Sequence, residues 1–380
     1  MVDYFFFLFS FLSAINITIK GSNNYFNDYM DISTTNSIKG IFVWLIIFHH
    51  KTGYINHKNY LYLNITRNLG QKIVSMFLFY SGYGIYESFK KKGKAYIMTL
   101  PIKAFILFVK FQIILLFFLL TNIFIFKHKI SIKLYLLSAI FKSSLGNSNW
   151  FAFTIIILYI YTYISFMFIK GINFIGIIIL SILCFFHVLI VYEYYYPNMK
   201  YAVDTVFCFS TGFFYSLMKN YLDKVIQKND IYYFLIVSAN IFLFFKILNI
   251  NRLFYISLKN ILFSLIIVLI SMKIKFKNEL LIFLSSHSYS IYLLQRLVMR
   301  ITFKYNIFKN SDFIQISFEF TSIFFIACLF DKYAIFIDKY FKRKSIKAEK
   351  NDYIQINEIY FNDKINKNLI KIKNKIFDNN

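Results

Sequence analysis

Apolar runs close to the length of one membrane crossing recur from residue 4 to residue 337, separated by short polar joints. A crossing helix needs roughly 17 to 25 predominantly apolar residues. On that measure the runs read as spans at 4–19, 38–54, 72–89, 102–126, 150–169, 172–192, 202–219, 231–249, 253–272, 280–300 and 313–337. The fold class expected is all-α, a polytopic integral membrane bundle of about 11 transmembrane helices. The joints near 170 and 250 are the least defined, because a tight turn and one long helix have the same hydropathy there.

Basic residues orient such a bundle, since short loops rich in Lys and Arg stay on the cytoplasmic side. The stretches FKKKGK (89–94), MKNYLDKVIQK (218–228), MKIKFK (272–277) and FKRKSIKAEK (341–350) all fall on one side of this span list. That side is expected to be the cytoplasm, although Lys127, Lys129 and Lys133 lie on the other. An odd number of crossings then places the N-terminus outside a plasma membrane. Three regions follow: an extra N-terminal helix with its connecting loop (1–35), a membrane domain (36–340) and a polar, disordered cytoplasmic tail (341–380), too poor in large apolar residues to form a core.

A formal charge of +25 would point a soluble protein toward nucleic acid. In a chain that is 58% hydrophobic, lysines between apolar runs instead set orientation and meet anionic lipid, so no nucleic-acid partner is expected. Cys184, Cys208 and Cys328 sit singly in apolar stretches, without the paired spacings of disulfide frameworks or zinc sites. The opening DYFFFLFSFLSAINITI lacks a basic n-region and an A-x-A-like end, and reads as an anchor helix rather than a cleaved signal. The N-x-T triplets at Asn16 and Asn64 are short patterns that do not establish glycosylation.

Within NSIKGIFVWLIIFHH (36–50), eleven positions separate Lys39 from His50. At about 100° per residue that is three turns plus roughly 20°, with a rise near 16 Å. Lys39 and His50 therefore share one helix face, and His49 lies about 100° away from it. An ionisable group is costly in hydrocarbon and ordinarily faces a cavity or a partner. Spacing alone leaves two readings: a functional line across the membrane, or a snorkelling lysine and a histidine meeting interfacial water.

A basic residue, ten positions and a histidine in an early helix is also the hallmark of the membrane-bound acyltransferase 3 family, which this sequence resembles through KGIFVWLIIFHH. Lys39 stands where the family more often has Arg. FLFYSGYGIYESFKKKGKAYI (77–97), NSNWFAFTIIILYIY (147–161), DTVFCFSTGFFYSLMKN (204–220) and SSHSYSIYLLQRLVM (285–299) are similar to later elements of the family in the same order. Gln295 stands where many members have His. The resemblance covers roughly residues 36–337.

The resemblance implies a membrane O-acyltransferase like the polysaccharide O-acetylases. Such an enzyme moves an acyl group, usually acetyl, from cytoplasmic acyl-CoA to a hydroxyl of a cell-surface or lipid-linked carbohydrate. It uses acetyl-CoA as cosubstrate, with no permanently bound cofactor and no metal. His50 is the candidate general base, because a neutral imidazole can take the proton of an attacking hydroxyl; a covalent acyl-histidine is the variant. Lys39, Lys90, Lys91, Lys92 and Lys94 are candidates for the CoA phosphates, with topology anchoring as the plain alternative.

His49, Ser81, Tyr83, Trp150, Tyr289, Tyr292 and Gln295 are candidates for the pocket, with helix packing and interfacial belts as the alternative. Glu319 is expected to face the bundle interior and Asp204 to cap a helix start. His187, His287, Arg296 and Arg300 receive no role. No HExxH, phosphate-cradling glycine loop or metal-ligand cluster is present in the sequence. The competing class is a polytopic transporter or flippase whose path is lined by Lys39, His50 and Glu319.

Overall fold

Thirteen residues, Val2–Ala14, form the first helix, α1, and the chain then turns at Asn16, whose φ of 64° is left-handed. The computed structural model describes residues 2–55, 60–167, 173–195, 200–308 and 311–341, and about 80% of it is helical. After α1 come a short strand β1 (Ile17–Ile19), then α2 (Ile32–Lys51), α3 (Leu61–Thr66), α4 (Gly70–Lys92), α5 (Lys94–Met98) and α6 (Leu100–Leu120). A π turn at Thr121–Ile125 extends α6, and α7 (Ile132–Ala139), α8 (Trp150–Met167), α9 (Asn173–Tyr195), α10 (Lys200–Ile226), α11 (Asp230–Lys246) and α12 (Leu253–Ser271) follow. Strand β2 (Ile274–Phe276), α13 (Glu279–Ser286), α14 (Ser288–Lys304) and α15 (Asp312–Phe341) complete the order. The described residues up to Asp331 make one compact unit, and those from Lys332 to Phe341 belong to a second.

Two of the expected spans are built differently. The 4–19 span stops at Ala14, and Ile17–Ile19 pairs antiparallel with Ile274–Phe276, so a small ribbon sits where helix was expected. The 280–300 span is broken at His287, between α13 and α14. The run SSHS supplies side chains that compete with helical backbone bonding. Asp331 of α15 holds the break, accepting hydrogen bonds from Ser290 and the His287 ring. The expected tail from 342 onward, and the joint at 168–172, lie outside the described residues.

Among the described residues, five segments are long and apolar enough to cross a membrane by length and composition: Lys94–Ile125, Trp150–Met167, Phe174–Tyr194, Leu253–Ser271 and Asp312–Phe341. In α9, Phe174, Ile178, Ile182, Phe185 and Leu189 are exposed while Ile177, Leu180, Cys184 and Val191 are buried. Both faces of that helix are apolar, the pattern of a rod between protein and lipid. α2, α4, α10 and α14 carry ionisable residues; α4 packs chiefly on α10, and α2 on α13, α14 and α4.

α4 and α10 approach most closely through reciprocal glycines. A Cβ on Gly82 would stand 2.1 Å from the Phe209 carbonyl oxygen, and one on Gly212 would stand 2.3 Å from that of Phe79. Small residues let two backbones touch in this way.

Polar contacts tie the helix ends into two groups. At one end, Asp230 accepts from Tyr25, the Asn23 amide and Lys273, Asp28 pairs with Lys275, and Lys94 reaches the Met167 carbonyl. At the other, Tyr60 meets Asp312, Lys304 reaches the Ile125 carbonyl, and Lys259 meets the carbonyls of Leu248 and Ile250. Successive long helices therefore alternate in direction.

Candidate functional site

α2 presents Lys39, Val43, Ile46 and His50 along one face, at steps of four, three and four residues, as helical spacing demands. Cavities lie along that face. The first, about 490 Å³, is lined by Lys39, Tyr80, Tyr83, Gly84, Glu87 and Lys91 together with Met30 and Asp31 just before α2 and Ile32 and Ser33 of its first turn. The second, about 340 Å³, shares Lys39, Tyr80 and Gly84 with the first and adds Val43, Ile46, Ser81, Tyr159, Tyr289 and Tyr292. The third, about 280 Å³, shares Ile46 and Tyr292 with the second and adds His49, His50, Arg67, Gln71, Trp150 and Arg296. A larger space of about 620 Å³ lies elsewhere, between α1, β2 and α13.

Lys39 thus stands between the first two cavities. Its ammonium donates to Asn36 Oδ1 at 3.2 Å and lies 5.8 Å from the centre of the Tyr80 ring. No carboxylate pairs with it among the described residues. Tyr292 forms the partition between the second and third cavities. Its ring centre is 6.1 Å from that of His50 and 5.1 Å from that of Phe151, and its hydroxyl lies beside Ser148 and Trp150.

His50 is 9% exposed, and its Nε2 has no hydrogen-bond partner among the described residues. On the other ring nitrogen, Nδ1 receives Arg296 Nη2 at 3.3 Å and Nε at 3.4 Å. Guanidinium has only donors, so Nδ1 is the acceptor, and the proton of the neutral ring sits on Nε2. His49 is differently occupied: its Nδ1 lies 3.2 Å from the Thr66 carbonyl, and its ring lies so close to Gly70 that a Cβ there would stand 2.3 Å from Nε2. Both histidines line the third cavity; His49 is tied to the Thr66 carbonyl, and His50 takes its contact from Arg296.

The remaining candidates divide clearly. Ser81, Tyr83, Lys91 and Trp150 line cavities, with Ser81 Oγ 3.5 Å from the Tyr159 hydroxyl. Lys90 instead pairs with Glu87 at 2.6 Å, Lys94 donates to a backbone carbonyl, and Lys92 is exposed; none of these three lines a cavity described here. Gln295 is fully buried, its Nε2 donating to the Tyr292 carbonyl, and it does not line the cavities described here; on α14 it lies about 60° from Tyr292 and about 100° from Arg296. Gly82 packs helices and Gly84 borders cavity space.

Asp204 does not cap α10. It is the fifth residue of that helix, 1% exposed, and accepts from Gln71 Nε2 at 2.8 Å, joining α10 to α4.

Sequence reading assigned no role to Arg296, and did not find Arg67, Gln71 or Lys51. Tyr289, Tyr292 and Arg296 stand at steps of three and four on α14, a stripe that faces the α2 stripe and that helical spacing could have revealed. Lys51, next to His50, forms an ion pair with Glu319 of α15 at 2.6 Å, their side chains 2% and 1% exposed, and Thr302 donates to the same carboxylate oxygen. Glu319 faces the interior, as its place in an apolar run suggested. No cluster of three or more His, Cys, Asp or Glu suited to a metal ion occurs among the described residues.

No protein-family model matches the chain, and neither a curated protein nor a solved structure is significantly similar to it.

Proposed function

We propose that this chain is a membrane O-acyltransferase. It would carry an acyl group, acetyl in the simplest case, from cytoplasmic acyl-CoA to a hydroxyl of a cell-surface or lipid-linked carbohydrate. One observation carries the reading: His50 borders the last of three cavities in series whose shared walls run along the Lys39–His50 face of a single helix. A reaction between a donor on one side and an acceptor on the other needs a reactive group reached from both directions, and about 16 Å of helix separates the two residues.

In this reading Lys39 and Lys91, on the first cavity, attract the CoA phosphates as point charges. The pantetheine arm lies among the aromatic side chains of the second cavity, and the thioester comes to Tyr292 and His50. The acceptor oxygen attacks the thioester carbon while the imidazole takes its proton, the C–S bond breaks, and the imidazolium returns a proton to the CoA sulfur. The resemblance to the acyltransferase 3 family supports the same assignment of His50. The finer topology belongs to the proposal as well: eleven crossings, basic loops and tail in the cytoplasm, and the N-terminus outside. The alternating helix directions and the clustering of Lys90–Lys92, Lys219, Lys273 and Lys275 at one end support it.

Purified protein in lipid nanodiscs, given labelled acetyl-CoA and surface glycan of the source cell, is expected to form an alkali-labile acetyl ester, and His50→Ala to form none. Full activity in the variant would remove the base assignment. The same line of cavities also suits a transporter or flippase; uptake of a lipid-linked sugar without any acetyl transfer would favour that class.

A further inference from the structure

We infer that Arg296 masks His50 until an acceptor bearing an oxyanion, carboxylate or phosphate ester, draws it away; the inference rests on the acyltransferase reading. The guanidinium is always charged and can only donate. While it lies on Nδ1, the one ring lone pair able to take a proton is in use. The two contacts, at 3.3 and 3.4 Å, are longer than the usual 2.9 to 3.0 Å of an N–H hydrogen bond, so the resting arrangement is weakly held. No carboxylate pairs with Arg296 among the described residues.

Arg300, one turn further along α14, shows what a structural arginine looks like in the same helix. It donates to the Leu145 carbonyl at 2.7 Å and to Asn122 Oδ1 at 3.0 Å, and lies against the Phe126 ring. Arg300 is committed and Arg296 is exchangeable.

The cavity that Arg296 lines fits such a ligand. Arg67 adds a second guanidinium, Asn68 offers an amide and Gln71 its carbonyl oxygen to sugar hydroxyls, Trp150 offers a flat apolar face, and no carboxylate lines it among the described residues. A bidentate guanidinium–oxyanion pair is shorter and stronger than the long contact to imidazole. Binding of an anionic sugar therefore moves Arg296 onto the anion and frees Nδ1. The acceptor oxygen then bonds to the acyl carbon, its proton passes to Nδ1, the C–S bond breaks, and the imidazolium returns a proton to the CoA sulfur. Without an anion Nδ1 stays covered, water is not deprotonated, and acyl-CoA is not wasted by hydrolysis.

The test uses the full chain in nanodiscs with acetyl-CoA, following both CoA thiol release and ester formation. Matched oligosaccharides with a glucuronate, with a glycerol phosphate substituent, or with neither are the acceptors. Wild type is expected to favour one or both anionic acceptors by about 10- to 100-fold, the fold-change expected of a hydrogen bond to a charged group; the arm that responds identifies carboxylate or phosphate. Arg296→Gln is expected to raise acceptor-independent thiol release and to abolish that preference, and Arg296→Lys to restore part of it. Equal use of neutral and anionic acceptors, with thiol release unchanged in Arg296→Gln, would overturn the inference and leave the transferase reading standing. Thermal unfolding with methyl glucuronide, glycerol phosphate or methyl glucoside separates the two: stabilisation by an anion that Arg296→Gln removes, in a protein that never transfers acetyl, would keep the anion site and sink the transferase.

Discussion

His50 and Lys51 are consecutive residues of α2, yet Lys51 ends in an enclosed ion pair with Glu319 while His50 borders a cavity with one nitrogen unpartnered and the other held at 3.3 Å. Each is an ionisable side chain in an apolar bundle, where such groups are costly. Lys51 donates to the Glu319 carboxylate, which also accepts from Thr302. His50 lies beside a cavity with a buried Nε2 that has no partner among the described residues and an Nδ1 held only by a long contact. Burial alone does not distinguish them; the presence of an opposite charge does.

The sharpest way to break this comparison is to remove each member. His50→Ala is expected to lower acetyl transfer by about 10²- to 10⁴-fold, the usual contribution of a general base, with an unchanged unfolding temperature. Lys51→Met should do the opposite: destabilise the protein by about 3–5 kcal/mol, because Glu319 is left buried and unpaired, while specific activity per folded molecule persists. The double variant Lys51→Met with Glu319→Leu is expected to recover most of that stability in the same unfolding measurement. If Lys51→Met abolished transfer without affecting stability, the division of roles would be wrong.

A smaller effect is expected at the donor end. Lys39→Ala should raise KM for acetyl-CoA by about 10-fold, the scale of one lost hydrogen bond to a charged group, with kcat little changed, and Lys39→Arg should stay near wild type. Steady-state kinetics in nanodiscs checks it.

The smallest effect concerns the ribbon end. The hydrogen bond from Lys275 holds the Asp28 carboxyl below its ordinary 3.8, against a smaller opposing effect of burial. A depressed carboxylate stabilises the fold above its unfolded pKa and loses that stabilisation as pH falls through the folded value. Unfolding curves below about pH 4 should therefore show a loss that Asp28→Asn does not share.

Helical spacing made much of the site legible before any coordinates. A period of 3.6 residues put Lys39 and His50 on one face, and both line the series of cavities. The Arg296 contact was not legible, because it depends on the register between α2 and α14, 246 residues apart in the chain. Lys51 and Glu319, 268 apart, were hidden for the same reason. The break at His287 escaped because hydropathy averages across a single polar turn. The lysine cluster misled in part: Lys90 is satisfied by Glu87 one turn before it, which a pairwise look at i,i+3 charges would have revealed.

The most direct measurement uses sealed proteoliposomes with labelled acetyl-CoA trapped inside and an acceptor glycan outside. Acetyl ester appearing on the outer glycan with wild-type protein, and not with His50→Ala, is the expected result. Label that never leaves the lumen, or that reaches the glycan equally well without His50, would contradict the role given to that imidazole.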